Sequence, residues 1–345
     1  MFVGLVNESI LIIGGTGSLG RALIRRLKAD NSLNIFSRDE AKHWTIKNQL
    51  SPSDDVSFHI GDVRDFARVR EVLERTNPTI VIIASALKQV DTCEISPFES
   101  IQTNTLGVRN VCEATIGIRT RLKRLSTVLL VSTDKACAPT NVYGMSKALA
   151  ERLVTSYHTW EMGVKFVAVR YGNVLESRGS IIPLFKHQVE TSKALTVTDK
   201  RMTRFMMTLN QSIDLIEDTI SESKSGEIWI PKIPAMQIND LAEIFASKFG
   251  RKIEITGMRP GEKLHEDLVS ESESIRTKEL SNHYVIENSI KPVKETTKSE
   301  LFSYSSNRDL LAKQELESRL EELGIFEMEV KDFLGREIEE IRGRL

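Results

Sequence analysis

Cysteine is scarce: Cys93, Cys112 and Cys137 form an odd set with no CxxC spacing, which argues against a disulfide framework and a thiolate zinc site and fits a reducing compartment. The six histidines are scattered, so no metal centre is expected. No apolar run reaches the roughly 18 residues of a membrane span. The apolar start, residues 1 to 6, lacks the basic flank and the length of a signal peptide, and the expectation is a cytoplasmic protein. Charge of one sign is also missing. With 47 Lys plus Arg against 48 Asp plus Glu, the net charge of -1 gives the whole chain no pull toward nucleic acid or anionic lipid.

What is present is alternation. Short β-branched runs at 9–13, 33–36, 56–60, 80–84, 127–132 and 164–170 are separated by stretches suited to helices, the pattern of βαβ units. The spacing predicts an α/β fold, a Rossmann-type doubly wound parallel sheet with a smaller, interleaved C-terminal substrate domain. Residues 1–172, with a return at about 210–230, are assigned to the dinucleotide-binding domain. Residues 173–209 and 231–345 are assigned to the substrate domain. Polar composition from about 270 to 299 predicts exposed loops, and Leu316, Leu320 and Leu323 among charges predict an amphipathic helix within 313–345.

Directly after the first strand, Gly14-Gly15-Thr16-Gly17-Ser18-Leu19-Gly20 opens a helix. Such a turn lets the backbone approach a pyrophosphate lying on the helix N-terminus. The second strand runs into Ser37-Arg38-Asp39. A serine hydroxyl and a forked cation suit a 2′-phosphate, so NADP is favoured, while Asp39 keeps NAD open. Asp62 and Val63 follow the third strand, where a carboxylate can accept from the adenine amino group, and the small Ala84 and Ala86 follow the fourth.

Tyr143 and Lys147 stand four apart on one helical face. A nearby ammonium lowers a phenol's pKa, so Tyr143 can take a proton from a sugar hydroxyl, and Lys147 can also hold the nicotinamide ribose. The fifth strand ends in Ser132-Thr133-Asp134-Lys135. Thr133 can orient a substrate oxygen. Asp134 and Lys135 add an acid and a base: oxidation at carbon 4 of a hexose acidifies the carbon 5 hydrogen, which Lys135 removes while Asp134 protonates the departing hydroxyl of carbon 6. Return of the hydride to carbon 6 leaves a 4-keto-6-deoxy sugar and no net redox change.

At these residues the chain resembles the UDP-N-acetylglucosamine 4,6-dehydratases of the extended short-chain dehydrogenase/reductase superfamily, especially the soluble 5-inverting group. The likeness runs through Gly14 to Gly20, the 36–40 and 61–65 stretches, Ser132 to Ala136, Tyr143 with Lys147, Arg170 to Val174, Ser177 to Ser180, Met202 to Phe205 and Arg259 to Leu264. The resemblance implies a hydro-lyase, a tightly held NADP contacted also by Lys88, Asn104 and Val174, and a UDP-sugar held by Lys88, Asn173, Arg178, Ser180, Arg204, Arg259 and Glu262. It further implies a homo-oligomer formed through helices around 97–116 and 142–161. Related enzymes often carry Met at the Tyr143 position, which sides this chain with the tyrosine-bearing group. The readings that compete are a dehydratase retaining the carbon 5 configuration, a UDP-sugar 4-epimerase, which has no need of Asp134 and Lys135, and a non-catalytic NADP-binding sensor, which has no need of Tyr143 and Lys147.

Overall fold

The structure, a computed structural model, describes residues 4–160, 163–175, 177, 179–288 and 301–327. Six parallel strands, β1 (Ser9–Ile13), β2 (Ser32–Ser37), β3 (Val56–Ile60), β4 (Ile80–Ile83), β5 (Thr127–Val131) and β6 (Lys165–Val169), lie in the order β3-β2-β1-β4-β5-β6. The order reverses between β1 and β4, and ligands of open α/β sheets bind beyond the carboxyl ends of the strands at such a switch point. Ile10 to Ile13 and Ile80 to Ile83 are all buried, because helices cover both sheet faces and leave no solvent side for alternation to serve.

The intervening helices begin where short polar residues can cap them. Asp39 accepts from Lys42 N at the start of α2 (Glu40–Lys47), and Asp65 accepts from Arg68 N at the start of α3 (Phe66–Thr76). The first helix, α1 (Ser18–Leu27), begins instead at Gly17, which has no side chain to cap with.

The chain divides into two compact units, the first comprising residues 1–172, 209–232 and 267–305, the second 173–208, 233–266 and 306–345. The position of 267–305 corrects the expectation from the sequence, which gave that segment to the second domain and read most of it as loop. The strand Ile228–Pro231 extends the sheet parallel to β6, and His283–Ile286 and Thr277–Glu279 continue it antiparallel, making nine strands. This pairing buries Val285 and Ile286, a gain that the surrounding polar composition conceals.

The second unit has its own core. Phe185 on the helix Ile181–Glu190 meets Phe245 on the helix Ile238–Phe249 edge to face, with centroids 5.5 Å apart. Leu316 and Leu320 of the helix Lys313–Glu322 complete it, whereas Leu323 is exposed. The rest of the amphipathic stretch expected up to residue 345 lies outside the described residues beyond 327. No helix among the described residues is long and apolar enough to cross a membrane.

Candidate active site

The glycine turn is shaped by contacts that exclude side chains. Gly14 takes a φ of 85°, and a Cβ there would lie 2.6 Å from Ser85 N. A Cβ on Gly20 would lie 2.3 Å from the Gly15 carbonyl oxygen, so this glycine lets α1 pack against the turn. Gly17 N donates to Gly14 O at 3.0 Å, and the first turn of α1, which holds Ser18 and Leu19, has no acidic residue. The N–H groups there have no partner within the helix, a donor set that fits a pyrophosphate. Ser85 Oγ, beside the same turn, is buried without a hydrogen-bond partner among the described residues.

At the end of β2 the side chains divide their work. Thr16 Oγ1 donates to Ser37 Oγ at 3.1 Å, and Ser37 Oγ lies 2.7 Å from His43 Nε2, so Ser37 is fixed in a chain of polar groups rather than projecting alone. Burial pushes the His43 pKa down and keeps its ring neutral. Asp39, the residue that kept NAD open, is occupied as the cap of α2 and pairs with Lys42 at 2.7 Å. Arg38 remains 57% exposed, 3.6 Å from Asp62 Oδ2. Asp62 accepts from Arg64 with both oxygens, through the backbone N at 2.9 Å and through Nε and Nη2 at 3.0 and 2.7 Å. Burial would raise the Asp62 carboxyl, but Arg64 and Arg38 hold it below its usual range.

Beyond β4, Ala84 N donates to Ile13 O at 2.8 Å, Val63 is buried, and Ala86 and Lys88 are exposed. Asn104 is fully buried in a π-helical turn, Gln102–Leu106, a geometry frequent at functional sites. Its carboxamide accepts from Leu87 N at 2.8 Å and donates to Leu87 O, Ser100 Oγ and Ser146 Oγ. These bonds clamp the loop after β4 to the helix that carries Tyr143, a role beside the cofactor contact expected of Asn104.

The catalytic candidates converge beyond β5. Thr133 precedes the 3₁₀ turn Asp134–Ala136 and donates to Asp134 Oδ1 at 2.9 Å. Lys135 Nζ donates to the same oxygen at 3.0 Å. Asp134 is 1% exposed, and its second oxygen, Oδ2, has no hydrogen-bond partner among the described residues. Tyr143 and Lys147 are buried on the helix Val142–Ser156, whose first turn is held by Asn141 Oδ1 accepting from Gly144 N and by Glu94 accepting from Val142 N. Lys147 Nζ donates to Val131 O at 2.6 Å, tying the helix to the last residue of β5.

Burial pushes the Tyr143 phenol up to about 12, against the opposing pull of the Lys135 ammonium and the Thr133 hydroxyl. The cation that favours the phenolate is therefore Lys135, not Lys147 as the four-residue spacing suggested. Lys147 is itself pushed down to about 8 by burial, with Glu151 pulling the other way.

Several residues at this site were not singled out from the sequence. A Cβ on Gly144 would fall 2.1 Å from Lys135 O, so only glycine lets the helix approach the turn this closely. A glycine directly after the tyrosine was the available signal. Tyr171, whose carbonyl accepts from Asp134 N at 2.9 Å, is a second buried phenol beside Tyr143. Its signal was its place in the Arg170 to Val174 stretch at the end of β6.

In the second unit, Arg204 directs its guanidinium to the carbonyls of Thr203, Lys263 and Leu264, at 2.7, 3.0 and 3.1 Å. It braces the 263–264 loop, a role beside the expected one on a diphosphate. Glu262 accepts from the backbone N of Arg259, and Arg259 is exposed. Asn173 Oδ1 and Ser180 Oγ are buried with no partner among the described residues; Ser180 precedes the helix Ile181–Glu190 without capping it. Val174 pairs with Met207 in this unit, and Arg178 lies outside the described residues. In the first unit, the segments expected to mediate self-association leave Phe98, Ile101, Met145 and Leu149 exposed. No group of side chains able to hold a metal ion occurs among the described residues.

The profile of the family described as polysaccharide biosynthesis protein matches residues 10–288. The UDP-glucose 4-epimerase of Rickettsia typhi is similar at 40% identity over 291 residues, 81% of this chain and 83% of its own length. Among solved structures, Pen from Bacillus thuringiensis superposes with a TM-score of 0.84 at 34% identity, over 93% of this chain and 100% of that one. DesIV, a dTDP-glucose 4,6-dehydratase from Streptomyces venezuelae solved with NAD and TYD bound, superposes with a TM-score of 0.65 at 19% identity over 74% of this chain and 86% of its own, a likeness of fold.

Proposed function

The chain belongs to the polysaccharide biosynthesis protein family, and from that premise we propose that it is a nucleotide-sugar 4,6-dehydratase that uses NADP and acts on UDP-N-acetylglucosamine with inversion at carbon 5. The observation that carries the reading is Asp134: a carboxylate 1% exposed, bonded to Thr133 and Lys135 through one oxygen and without a partner on the other. Leaving a buried carboxylate oxygen unpaired costs on the order of 1–3 kcal/mol or more, and a fold retains such a cost where a ligand completes the site.

The proton chemistry follows from the pair. An ammonium and a carboxylate joined by the 3.0 Å bond from Lys135 to Asp134 become a base and an acid when one proton crosses it. Neutral Lys135 can then take the carbon 5 proton, and the Asp134 carboxyl can deliver its proton to the carbon 6 oxygen, which leaves as water. Tyr143 receives the proton of the carbon 4 hydroxyl. Burial pushes that phenol up to about 12, and the Lys135 ammonium opposes the push. A dinucleotide held by Gly14, Gly17 and the start of α1 supplies a reversible hydride acceptor. Exposed Arg38, with Asp39 occupied as a helix cap, supports NADP over NAD.

A second reading, 4-epimerisation, is favoured by the name that the Rickettsia relative carries. It uses Tyr143 and Lys147 but leaves the Asp134 and Lys135 pair without a task. The two separate in one experiment: proton NMR of UDP-N-acetylglucosamine incubated with the protein in heavy water, with NADP and then NAD supplied. A carbon 6 methyl signal with deuterium at carbon 5 and the L-arabino configuration, formed faster with NADP, is the expected result. UDP-N-acetylgalactosamine without any methyl signal would sink the dehydratase reading.

A further inference from the structure

We propose that Glu151, held in place by Arg170 and Glu273, is a positioning residue that keeps the buried Lys147 in its charged form. Arg170, at the end of β6, is 1% exposed and uses every N–H it has. Nε and Nη2 donate to the two oxygens of Glu151 at 3.0 and 2.6 Å, Nη1 and Nη2 donate to the two oxygens of Glu273 at 2.9 and 2.8 Å, and Nη1 also donates to Leu268 O at 2.9 Å. Glu273 accepts further from Ser270 N and Oγ and from the Cys137 thiol, one residue past the turn that bears Asp134 and Lys135. Three of the elements that build the catalytic end of the unit therefore meet on this ion cluster.

The cluster does not balance by itself. Two carboxylates against one guanidinium leave one negative charge in a region closed to water, where an unpaired charge is costly. Glu151 is four residues beyond Lys147, which puts the two side chains on one helix face. Lys147 supplies positive charge to Glu151 from the same helix, and Arg276, partly buried, acts on both Glu273 and Glu151 from outside it.

The acids around the helix have partners of their own, Glu94 among them, which accepts from Val142 N. On the elements packed against this helix, Asp134 is bonded to Lys135 and Thr133, Cys93 is a buried thiol donating to Leu87 O, Glu99 pairs with Arg64 and Glu113 accepts from Tyr157. Burial works against the charges of Arg170 and Glu273, and pairing overrides it: Glu151 and Glu273 hold the guanidinium ionised, and Arg170 holds the Glu273 carboxylate. Glu151 is the charge that opposes the loss of the proton from Lys147.

The link to turnover rests on the reading of Lys147 as the ribose-holding lysine, but the test does not. It titrates the full chain labelled with [ε-13C]lysine, the Lys147 resonance being assigned by its absence in Lys147→Arg. In the parent the resonance should titrate near pH 8. Glu151→Gln and Glu273→Gln each make the cluster more positive, and the midpoint should fall by about one pH unit or more, further for Glu151→Gln. Arg170→Gln removes a positive charge and should move the midpoint upward. Glu273 lies off the catalytic helix, so its variant decides the matter if either of the others does not fold. Opposite shifts of these signs support the proposal; a Lys147 midpoint unmoved in the folded Glu→Gln variants overturns it, whatever reaction the protein catalyses.

Discussion

Two clusters of buried charge adjoin the helix Val142–Ser156, and they are finished to different degrees. Around Arg170 every donor is matched, five N–H groups to five acceptors. Around Asp134 the same fold leaves a carboxylate oxygen with nothing to bond, although the residue is as deeply buried. The difference separates holding from acting. A saturated ion cluster gains nothing by admitting a ligand and breaks at high cost, so it fixes elements relative to one another. A carboxylate that keeps one oxygen in reserve can take a proton or a substrate hydroxyl without first giving up a protein bond.

The contrast breaks most visibly at Asp134. Asp134→Asn keeps the volume and can keep the Thr133 bond, yet it cannot shuttle a proton. Product formation should fall by about 10²–10⁴-fold, with the unfolding midpoint changed little. Equal turnover in the variant, read from the carbon 6 methyl signal, would return Asp134 to the class of structural groups. A substitution in the Arg170 cluster should behave in the opposite sense, losing stability first.

A steric version of the comparison uses two glycines. A Cβ at Gly144 meets Lys135 O at 2.1 Å, while a Cβ at Gly117, at the end of the helix Gly107–Gly117, meets nothing within 4 Å. Gly144→Ala should destabilise by about 1–3 kcal/mol in a denaturant titration, because backbone must move to admit the methyl group. Gly117→Ala should be neutral or slightly stabilising, since alanine loses less chain entropy in a helix. If the two variants unfold alike, the close approach of helix and turn is not a constraint on this site.

Much of this architecture is legible in the residues. The β-branched runs of β1 to β6 carry the parallel sheet because a strand buried on both faces must be apolar throughout, and the glycine turn after β1 announces its own geometry. Tyr143, Lys147 and the 133–135 turn could be named as chemistry from their types and their place at a strand end. What could not be read was which groups touch. The spacing of Tyr143 and Lys147 suggested a direct partnership, whereas Lys147 Nζ turns to the Val131 carbonyl and Lys135 acts on the phenol. Asp39 left NAD open beside NADP, and what the sequence did not announce was its second task as the cap of α2. The strand His283–Ile286 was hidden for a related reason: four residues in polar surroundings form a strand only because Ile228–Pro231 offers them an edge.

Another buried carboxylate with an unpaired oxygen tests whether an unfinished bond always marks a function. Asp218, on the helix Leu209–Glu222 in the first unit, is 7% exposed; its Oδ1 has no partner among the described residues, and its Oδ2 lies 3.3 Å from His283 Nε2. Burial, with Glu222, Asp214 and Glu217 adding to it, pushes its carboxyl up to about 6. The folded value lies above the unfolded one of about 4, so the folded chain binds the extra proton, and the stability this contributes is full below about pH 4 and lost as the pH rises through about 6. Asp218→Asn stays neutral at every pH. Relative to the parent it should gain stability across that window and hold the gain above it, on the order of 1 kcal/mol, read from denaturant midpoints at the two ends. A gain of this kind without loss of turnover would make Asp218 a tolerated defect, and Asp134 the case in which the same defect sits where a substrate can use it.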